Sequence, residues 1–414
     1  MQMDFIGSLF QKKIYYFDNN ATTLIYNDKI KSDVNNWLSC GNPSNTLHFL
    51  GIEAHEQLNK CRHIIADDLN VEPQEVFFTG SATEANNIII QGIINQNIKK
   101  NNFGKLTVIT SEFEHPSVLN VFKSYMNNDL INVIFIPIET DLSNKYYGSV
   151  NPETLKDILY QNQNIILVSI MMANNETGAI NDILTIGKLI KLRDENIFFH
   201  CDCTQAIGKF IIHPKRLLID SLTFSGHKFH APKGVGCLYI KNTNNKCNLN
   251  CGICFGGEQE ETIRPGTENI AFISALATAL IDVHKDRKEK NKKLLKLKNY
   301  LTEEMKKMGC SFVYPYHSLN NTVMVILPLL TICNRQFCEL LSKDYNVCIG
   351  ISSACQTGNI SHVLKAMKIK DQNKTRILRI SMSDYTTPEE CQYLINAIKT
   401  LITKYKTDKV YAKY

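Results

Sequence analysis

The sequence predicts an α/β fold in which a large, mostly parallel sheet is covered by helices and a smaller α/β domain follows at the C-terminal end. Short, uniformly apolar runs alternate with helical patterns along most of the chain, which is typical of parallel strands buried on both faces. The chain has 414 residues, enough to form two domains. We therefore expect a large domain over residues 18–287 and a small domain that combines residues 1–17 with residues 288–414.

The individual elements follow from apolar runs and the turn residues between them. The predicted strands are 76–79, 106–110, 131–138, 165–172, 197–199, the two runs on either side of the loop at 225–236, 321–327, 347–351 and 376–381. The predicted helices are 52–69, a segment around Ile88, 152–160, 183–194, 270–308, 334–343, 361–368 and 387–404. The pattern of 270–308 is broken near 284–291, where lysines accumulate, and the domain boundary is placed there.

Composition narrows the class of protein. Hydrophobic residues make up 44% and charged residues 21% of the chain, as in a globular protein, and the net charge of +6 forms no basic stripe interleaved with aromatics. We therefore expect no direct nucleic-acid binding. No apolar run approaches 18 residues, and Met1 to Lys13 lack the core of a targeting segment, so no membrane span and a cytoplasmic location are expected. The 14 scattered cysteines indicate reduced thiols.

The loop Ser225-Gly226-His227-Lys228 lies between two predicted strands. A lysine at the mouth of a buried sheet has a lowered pKa and can form an imine with an aldehyde cofactor. The alternative is a surface turn with a solvated lysine, and this loop alone does not decide between them.

A second turn has the features of an anion site. Gly80-Ser81-Ala82-Thr83-Glu84 follows a predicted strand and opens a helix, so backbone N–H groups and the helix dipole would face a phosphate. An ordinary helix cap is the alternative.

Further polar residues follow the carboxyl ends of predicted strands, where α/β sheets bind their ligands. They are Thr83, His115, Asn175, Asp202, Gln205 and Lys228. Each alone is compatible with a structural role, and it is their shared location that indicates a site.

The chain resembles the cysteine desulfurases, the NifS-like branch of the class V aminotransferases, from about Tyr16 to about Thr403. The matching segments are Asp18–Thr23, Gly41–Ser44, Ala82–Glu84, Glu114-His115, Asn174–Gly178, Asp202–Gln205, Ser225–Lys228, Gly256–Glu260, Arg264–Asn269, Ser353–Cys355 and Arg379–Ser381. The resemblance implies a pyridoxal 5'-phosphate (PLP) transferase of fold type I, with a sheet of the seven-stranded type, acting as a homodimer on L-cysteine.

The resemblance also implies roles for individual residues. Lys228 would carry PLP as a Schiff base, and Asp202 would pair with the pyridinium nitrogen, which makes the ring an electron sink. The other cofactor-binding residues would be Gln205 at the phenolic oxygen, Asn175, and His115 on the ring face, where it would also handle protons. Ala82, Thr83, Ser225, His227 and the second subunit's Thr267 would bind around the phosphate. Asn175 and Arg379 would bind the substrate carboxylate.

Cys355 lies in a Ser- and Gly-rich loop at about 350–360, which we expect to be mobile and exposed. By resemblance Cys355 takes the sulfur of cysteine as a persulfide, alanine is released, and the loop delivers the sulfur to an unidentified acceptor for iron–sulfur clusters, thio-cofactors or tRNA thiolation. The sequence departs from the family at Ser352, where glycine is usual, at Glu258, which replaces a third glycine, and at Glu261-Thr262, which replace Arg-Gly.

Alternatives remain open at this point. A selenocysteine lyase, or another class V lyase or aminotransferase, would keep the PLP residues without using Cys355, and an inactive homologue would serve as a scaffold. Cys247, Cys251 and Cys254 have the spacing of an iron–sulfur motif and are a weak candidate for a metal site; otherwise no metal is expected.

Overall fold

The protein is represented by a computed structural model that describes residues 13–100, 104–241, 254–351 and 361–407. Its contacts divide the chain into two compact units. The large unit comprises Thr23–Asn174 and Ala179–Arg287, and the small unit comprises Met1–Thr22, Asn175–Gly178 and Lys288–Tyr414.

Strands and helices alternate through the large unit and continue into the small one. The strands are β1 (Tyr15–Phe17), β2 (Val76–Thr79), β3 (Leu106–Ser111), β4 (Ile131–Ile136), β5 (Ile165–Ser169), β6 (Phe198–Asp202), β7 (Ser221–Ser225), β8 (Gly236–Ile240), β9 (Ser311–Val313), β10 (Thr322–Ile326), β11 (Val347–Ile349) and β12 (Ile377–Ser381). The helices are α1 (Asp28–Trp37), α2 (Phe49–Leu69), α3 (Ala82–Lys100), α4 (Pro116–Asn127), α5 (Pro152–Gln161), α6 (Ile183–Arg193), α7 (Ile270–His284), α8 (Arg287–Lys307), α9 (Asn334–Tyr345), α10 (His362–Ala366), α11 (Asp371–Lys374) and α12 (Pro388–Tyr405).

The large unit is built on a seven-stranded sheet with the order β2-β8-β7-β6-β5-β3-β4. β8 runs antiparallel to both of its neighbours, and the remaining neighbours pair in parallel. This confirms the predicted fold class. Every residue of β2, β3, β7 and β8 is buried, which explains the nearly apolar sequences of β2 and β8, whereas β3 and β7 also bury threonines and serines. The carboxyl ends of all strands except β8 therefore meet at one edge of the sheet.

Helix α3 provides much of the apolar core of the large unit. Its isoleucines at positions 88, 89, 90, 93 and 94 are buried with strand residues such as Val108, Leu167 and Leu238. Burying one such side chain stabilises the fold by roughly 1.5–3 kcal/mol. The start of α3 is thereby held firmly at the carboxyl edge of the sheet.

The small unit contains the antiparallel sheet β12-β10-β9 and the parallel pair β1-β11. Helices α8, α9 and α12 cover a core that includes Phe17, Leu301, Phe337 and Leu394. Helix α12 begins with a capping box in which Thr387 and Glu390 satisfy each other's backbone N–H groups. Because β1 pairs with β11, the start of the described chain belongs to the same unit as its end.

Most predicted elements occur, with shifted ends. The long helical pattern is broken as predicted, at Lys285 and Asp286, where Asp286 has φ 54°. The fifth strand ends at Ser169 instead of residue 172, and the sixth extends to Asp202. No helix of the described ranges is both long and apolar enough to cross a membrane.

Candidate functional site

The loop that carries Lys228 lies against the start of α3. Strand β7 ends at Ser225, and Gly226–Lys228 forms a short 3-10 helix. The hydroxyl of Ser225 accepts a hydrogen bond from the backbone N–H of Ala82 at 2.7 Å. A Cβ on Gly236 would lie 2.7 Å from the backbone of Ser81, so glycine is required where β8 passes this turn. The two segments predicted separately as lysine loop and anion site are thus brought together.

This corner of the large unit carries positive charge. Burial and the neighbouring charges of Lys228 and Lys233 lower the pKa of His227 to about 4, so its imidazole is neutral near pH 7. Two groups of Thr23 donate to the carbonyl oxygen of His227, the backbone N–H at 2.8 Å and the hydroxyl at 3.0 Å. An anion bound beside the lysines and the N-terminus of α3 would be stabilised by both.

Asp202 is a buried carboxylate at the carboxyl end of β6, only 4% exposed. It accepts hydrogen bonds from the amide of Asn86 at 3.0 Å and from the backbone N–H of Thr204 at 2.9 Å. Within the described ranges, no lysine or arginine forms an ion pair with it. A buried carboxylate is costly unless a cation or hydrogen bonds compensate it, so Asp202 is suited to a cationic ligand atom.

Asn86 is not among the residues predicted from the sequence. Asn86 lies four residues after Ala82 and three before Ile89, on the buried face of α3. A polar residue on an apolar helix face was the signal that could have identified it.

His115 is the N-cap residue of α4 and is exposed. The backbone N–H of Ser117 donates to its Nδ1 at 3.1 Å, and the hydroxyl of Ser117 lies 2.8 Å from the same atom. Because a backbone N–H can only donate, Nδ1 is the acceptor and a neutral His115 carries its proton on Nε2. The two contacts to Ser117 thereby hold the imidazole ring in place through its Nδ1 atom.

The neighbouring Glu114 is fully buried. Burial raises its pKa to about 8, although the Ser111 hydroxyl and the backbone N–H of Met171, at 2.9 Å, both donate to the carboxylate. Glu114 is therefore largely protonated near pH 7 and adds little negative charge beside His115.

A cavity of about 460 Å³ opens beside these groups. Thr83, His115 and Ser117 contribute to its wall, together with residues of α3 and α4. Gln205, which follows β6, is buried. The large unit thus brings most of the predicted cofactor residues to one edge of its sheet.

Thr267 is exposed on the segment that precedes α7. That segment is anchored by Glu260, whose carboxylate pairs with the Arg62 guanidinium at 2.6 and 2.9 Å and accepts from the backbone N–H of Phe78 at 2.8 Å. Glu260, Glu261 and Thr262 have left-handed backbone angles, with φ of 48°, 53° and 68°.

Arg379 and Asn175 belong to the small unit. Arg379 is a buried residue, 5% exposed. Its Nη2 donates to Asp18 Oδ1 at 2.6 Å and its Nη1 to the carbonyl oxygen of Asn175 at 3.2 Å. Its Nε has no partner among the described residues. A Cβ on Gly350 would lie 2.8 Å from Nη2 and 3.1 Å from Nε. Glycine at this position therefore avoids crowding the edge of the guanidinium that Nε and Nη2 form. That edge suits a carboxylate.

Several predicted residues lie outside the described ranges, namely Cys355 with most of its loop and two of the three cysteines considered for a metal, Cys247 and Cys251. The third, Cys254, is exposed. Cys348, in β11, is partly buried, and burial together with the charge of Asp18 raises its pKa, which disfavours the reactive thiolate.

Comparisons with known proteins show the family and the fold of the chain. The family described as aminotransferase class-V matches residues 15–394. The cysteine desulfurase IscS of Methanosarcina thermophila is 32% identical over 399 residues, which are 95% of this chain and 93% of that protein. A solved NifS-like protein superposes with a TM-score of 0.84 at 32% identity, covering 95% of this chain and 100% of its own. The structure of SspA in complex with cysteine superposes with a TM-score of 0.74 at 27% identity, covering 90% and 100%.

Proposed function

Because the chain belongs to the class-V aminotransferases, in their NifS-like cysteine desulfurase branch, we propose that it is a PLP-dependent cysteine desulfurase. It would convert L-cysteine into L-alanine and take up the sulfur on Cys355 as a persulfide. The acceptor of that sulfur is a separate question, with iron–sulfur cluster assembly and thio-cofactor or tRNA thiolation as the candidate routes.

The observation that carries the proposal is the state of Asp202. Its carboxylate is buried and held by two hydrogen bonds, and it lacks a cationic side chain in the described part of the chain. The protonated ring nitrogen of PLP is the kind of cation that such a carboxylate stabilises. Lys228 follows β7, the strand adjacent to β6, where it would carry the aldehyde carbon.

The phosphate of PLP fits the start of α3. Backbone N–H groups of that turn, the hydroxyls of Thr83 and Ser225, and His227 are its proposed partners. By resemblance, Thr267 would complete this site in the second subunit of a homodimer. Its exposure in the single chain supports that role.

The chain's own residues would orient the substrate and move protons. Arg379 would bind the substrate carboxylate through its fork, with Asn175 beside it, and His115 would hold a proton at Nε2 above the cofactor. When bound, PLP would withdraw electrons from the substrate carbons. The Cys355 thiolate would attack the substrate sulfur, so that an S–S bond forms as the C–S bond breaks. The electron pair stays with carbon, which takes a proton to give alanine.

The test compares Cys355→Ser with Cys333→Ser, the same change at an exposed thiol of the small unit. Cys355→Ser should keep cofactor binding and lose the persulfide and alanine release by several powers of ten, as for other removed nucleophiles. Cys333→Ser should behave as wild type. Mass spectrometry reports the added sulfur, and Lys228→Ala should lose the borohydride-trapped PLP adduct.

The outcome also separates the alternatives. Alanine and sulfide release near the wild-type rate in Cys355→Ser would favour a lyase, and faster turnover of L-selenocysteine would identify its substrate. A wild-type protein that binds no PLP would leave only the scaffold role. Light scattering that shows an active monomer would contradict the homodimer.

A further inference from the structure

Asn86 is a fully buried residue of α3 to which the proposed chemistry gives no part. Its amide nitrogen donates to Asp202 Oδ2 at 3.0 Å and to Ser117 Oγ at 2.9 Å. Its amide oxygen accepts from the Thr223 hydroxyl at 2.6 Å and lies 3.1 Å from Nε2 of His200. All four hydrogen-bonding positions of the side chain are therefore used.

The protons of this array can be assigned from chemistry. The Asp202 carboxylate can only accept, so the amide nitrogen of Asn86 must face it and the amide oxygen must face His200. Nε2 of His200 therefore carries a proton. Burial holds the pKa of His200 well below its ordinary value, so the ring is neutral and its Nδ1 accepts from Ser221 Oγ at 2.9 Å.

The same amide extends the array to His115. Because Nδ1 of His115 carries no proton, the Ser117 hydroxyl, 2.8 Å away, donates to it, while Ser117 Oγ accepts from Asn86. A continuous chain of hydrogen bonds thus runs from Asp202 through Asn86 and Ser117 to the imidazole. In the proposed function, Asp202 faces the nitrogen of the cofactor ring, and His115 faces the substrate proton.

We propose that Asn86 is a positioning residue that holds the Asp202 carboxylate and, through Ser117, the His115 imidazole in one array. The inference rests on the proposed function, because PLP gives both ends of the array their meaning. One side chain then sets the direction of the ring-nitrogen partner and, through the Ser117 hydroxyl, the second hydrogen bond to Nδ1 of His115, whose proton the backbone N–H of Ser117 already places on Nε2. If Asn86 only satisfied hydrogen bonds of the neighbouring strands, substituting it would lower the stability of the fold and would change neither Asp202 nor His115.

The test is Asn86→Asp, which keeps the size of the side chain and an acceptor for Thr223 and His200. It replaces the donor by a carboxylate about 3 Å from Asp202, and two carboxylates so close cannot both ionise near neutral pH. Asn97→Asp is the matched control, since Asn97 lies on the same helix and, among the described residues, its amide bonds only to the carbonyl oxygen of Ile93.

Three measurements are made on the full-length protein. The PLP dissociation constant of the apoprotein should rise about 10- to 100-fold, because the proton that the two carboxylates share weakens Asp202 as the acceptor of a charged hydrogen bond. In ¹⁵N NMR of the apoprotein, the Nδ1 resonance of His115, assigned by its loss in His115→Gln, should move. The pH profile of kcat/KM for alanine release should gain an ionisation near neutral pH. Asn97→Asp should change none of these.

Ser117→Ala covers the case in which Asn86→Asp fails to fold. It cuts the array between Asn86 and His115 while leaving the Asn86–Asp202 bond in place. It should move the Nδ1 resonance of His115 and leave PLP affinity within about twofold of wild type.

The outcomes are separable. A folded Asn86→Asp with wild-type PLP affinity, an unmoved His115 signal and an unchanged pH profile overturns the inference, and so does a loss of thermal stability alone. An unmoved His115 signal in Ser117→Ala also overturns it. If instead the wild-type protein releases no alanine from cysteine, the proposed function fails, while the NMR and PLP titrations still decide the role of Asn86.

Discussion

Gly350→Ala tests the proposed carboxylate site at Arg379 most directly. Gly350 does not have a positive φ, so alanine is not excluded by its backbone conformation. Its N–H and carbonyl group both bond to the backbone of Arg379, at 3.1 and 2.8 Å. The added methyl would lie 2.6 Å from Asp18 Oδ1 and 2.8 Å from Arg379 Nη2, closer than real Cβ atoms approach. Either the guanidinium moves or the paired backbone separates.

The expected magnitude follows from what the guanidinium loses. Displacing the fork removes at least one charge-assisted hydrogen bond to the substrate carboxylate, about 1.5–3 kcal/mol. That corresponds to a roughly 10- to 100-fold loss in kcat/KM. The loss should appear mainly as a higher KM, because the carboxylate is bound equally in the ground state and the transition state.

The assay measures kcat and KM for alanine release, with inhibition by cysteamine as a control ligand that lacks a carboxylate. Gly350→Ala and Arg379→Lys should both raise KM for L-cysteine and leave the cysteamine inhibition constant unchanged. Arg376→Lys is the matched control, since Arg376 lies just before the same strand and binds the carbonyl oxygen of Leu327 at 2.8 Å. A wild-type KM in Gly350→Ala, or an equal weakening of cysteamine, would refute the assignment of Arg379.

Two further predictions concern stability. Burial lowers the pKa of Lys298 from 10.5 to about 8, which corresponds to about 3 kcal/mol of unfolding free energy. Because folding disfavours the charged ammonium, the protein loses this free energy in full below pH 8 and regains it as the pH rises to 10.5. In denaturant titrations, the unfolding free energy of wild type minus that of Lys298→Met should rise by up to about 3 kcal/mol between pH 8 and 10.5, and a flat difference would contradict it. Thr262→Gly should stabilise the protein by about 1 kcal/mol, because Thr262 has φ 68°, where glycine is unstrained. Thr262→Ala should stabilise it less, and a lower melting temperature of Thr262→Gly in calorimetry would argue against backbone strain at this position.

The sheet could be predicted because burial on both faces leaves an unambiguous signal. β2 and β8 have no exposed face to alternate with polar residues, so their apolar runs are visible without periodicity. The buried strands β3 and β7 follow from shorter apolar stretches that include threonine and serine. Their carboxyl ends then located His115 and Lys228 at one edge. Helices α1 and α4 were not assigned, since α1 has a single buried residue and α4 begins directly after the site.

The partners of the site residues could not be predicted, because they come from distant parts of the chain. Asp18 pairs with Arg379 across 361 positions, and Asn86 reaches Asp202 across 116. Neither of these two contacts can be inferred from a local sequence pattern. The polar position of Asn86 on an apolar helix face was visible, but the group it contacts depends on how α3 lies across the sheet.

These long-range contacts explain two residues that had no predicted role, Asp18 and Glu114. Asp18 and Glu114 belong to segments that match the family, yet neither was assigned a role. Asp18 supplies a counter-charge to Arg379, without which the charge of a residue only 5% exposed would be costly to bury before any substrate arrives. Glu114 stays largely protonated and keeps negative charge away from His115. The buried Arg379 thus has a counter-ion, and the buried Glu114 keeps its proton. In such a site, substituting these supporting residues should change affinity and pH dependence before it abolishes the chemistry.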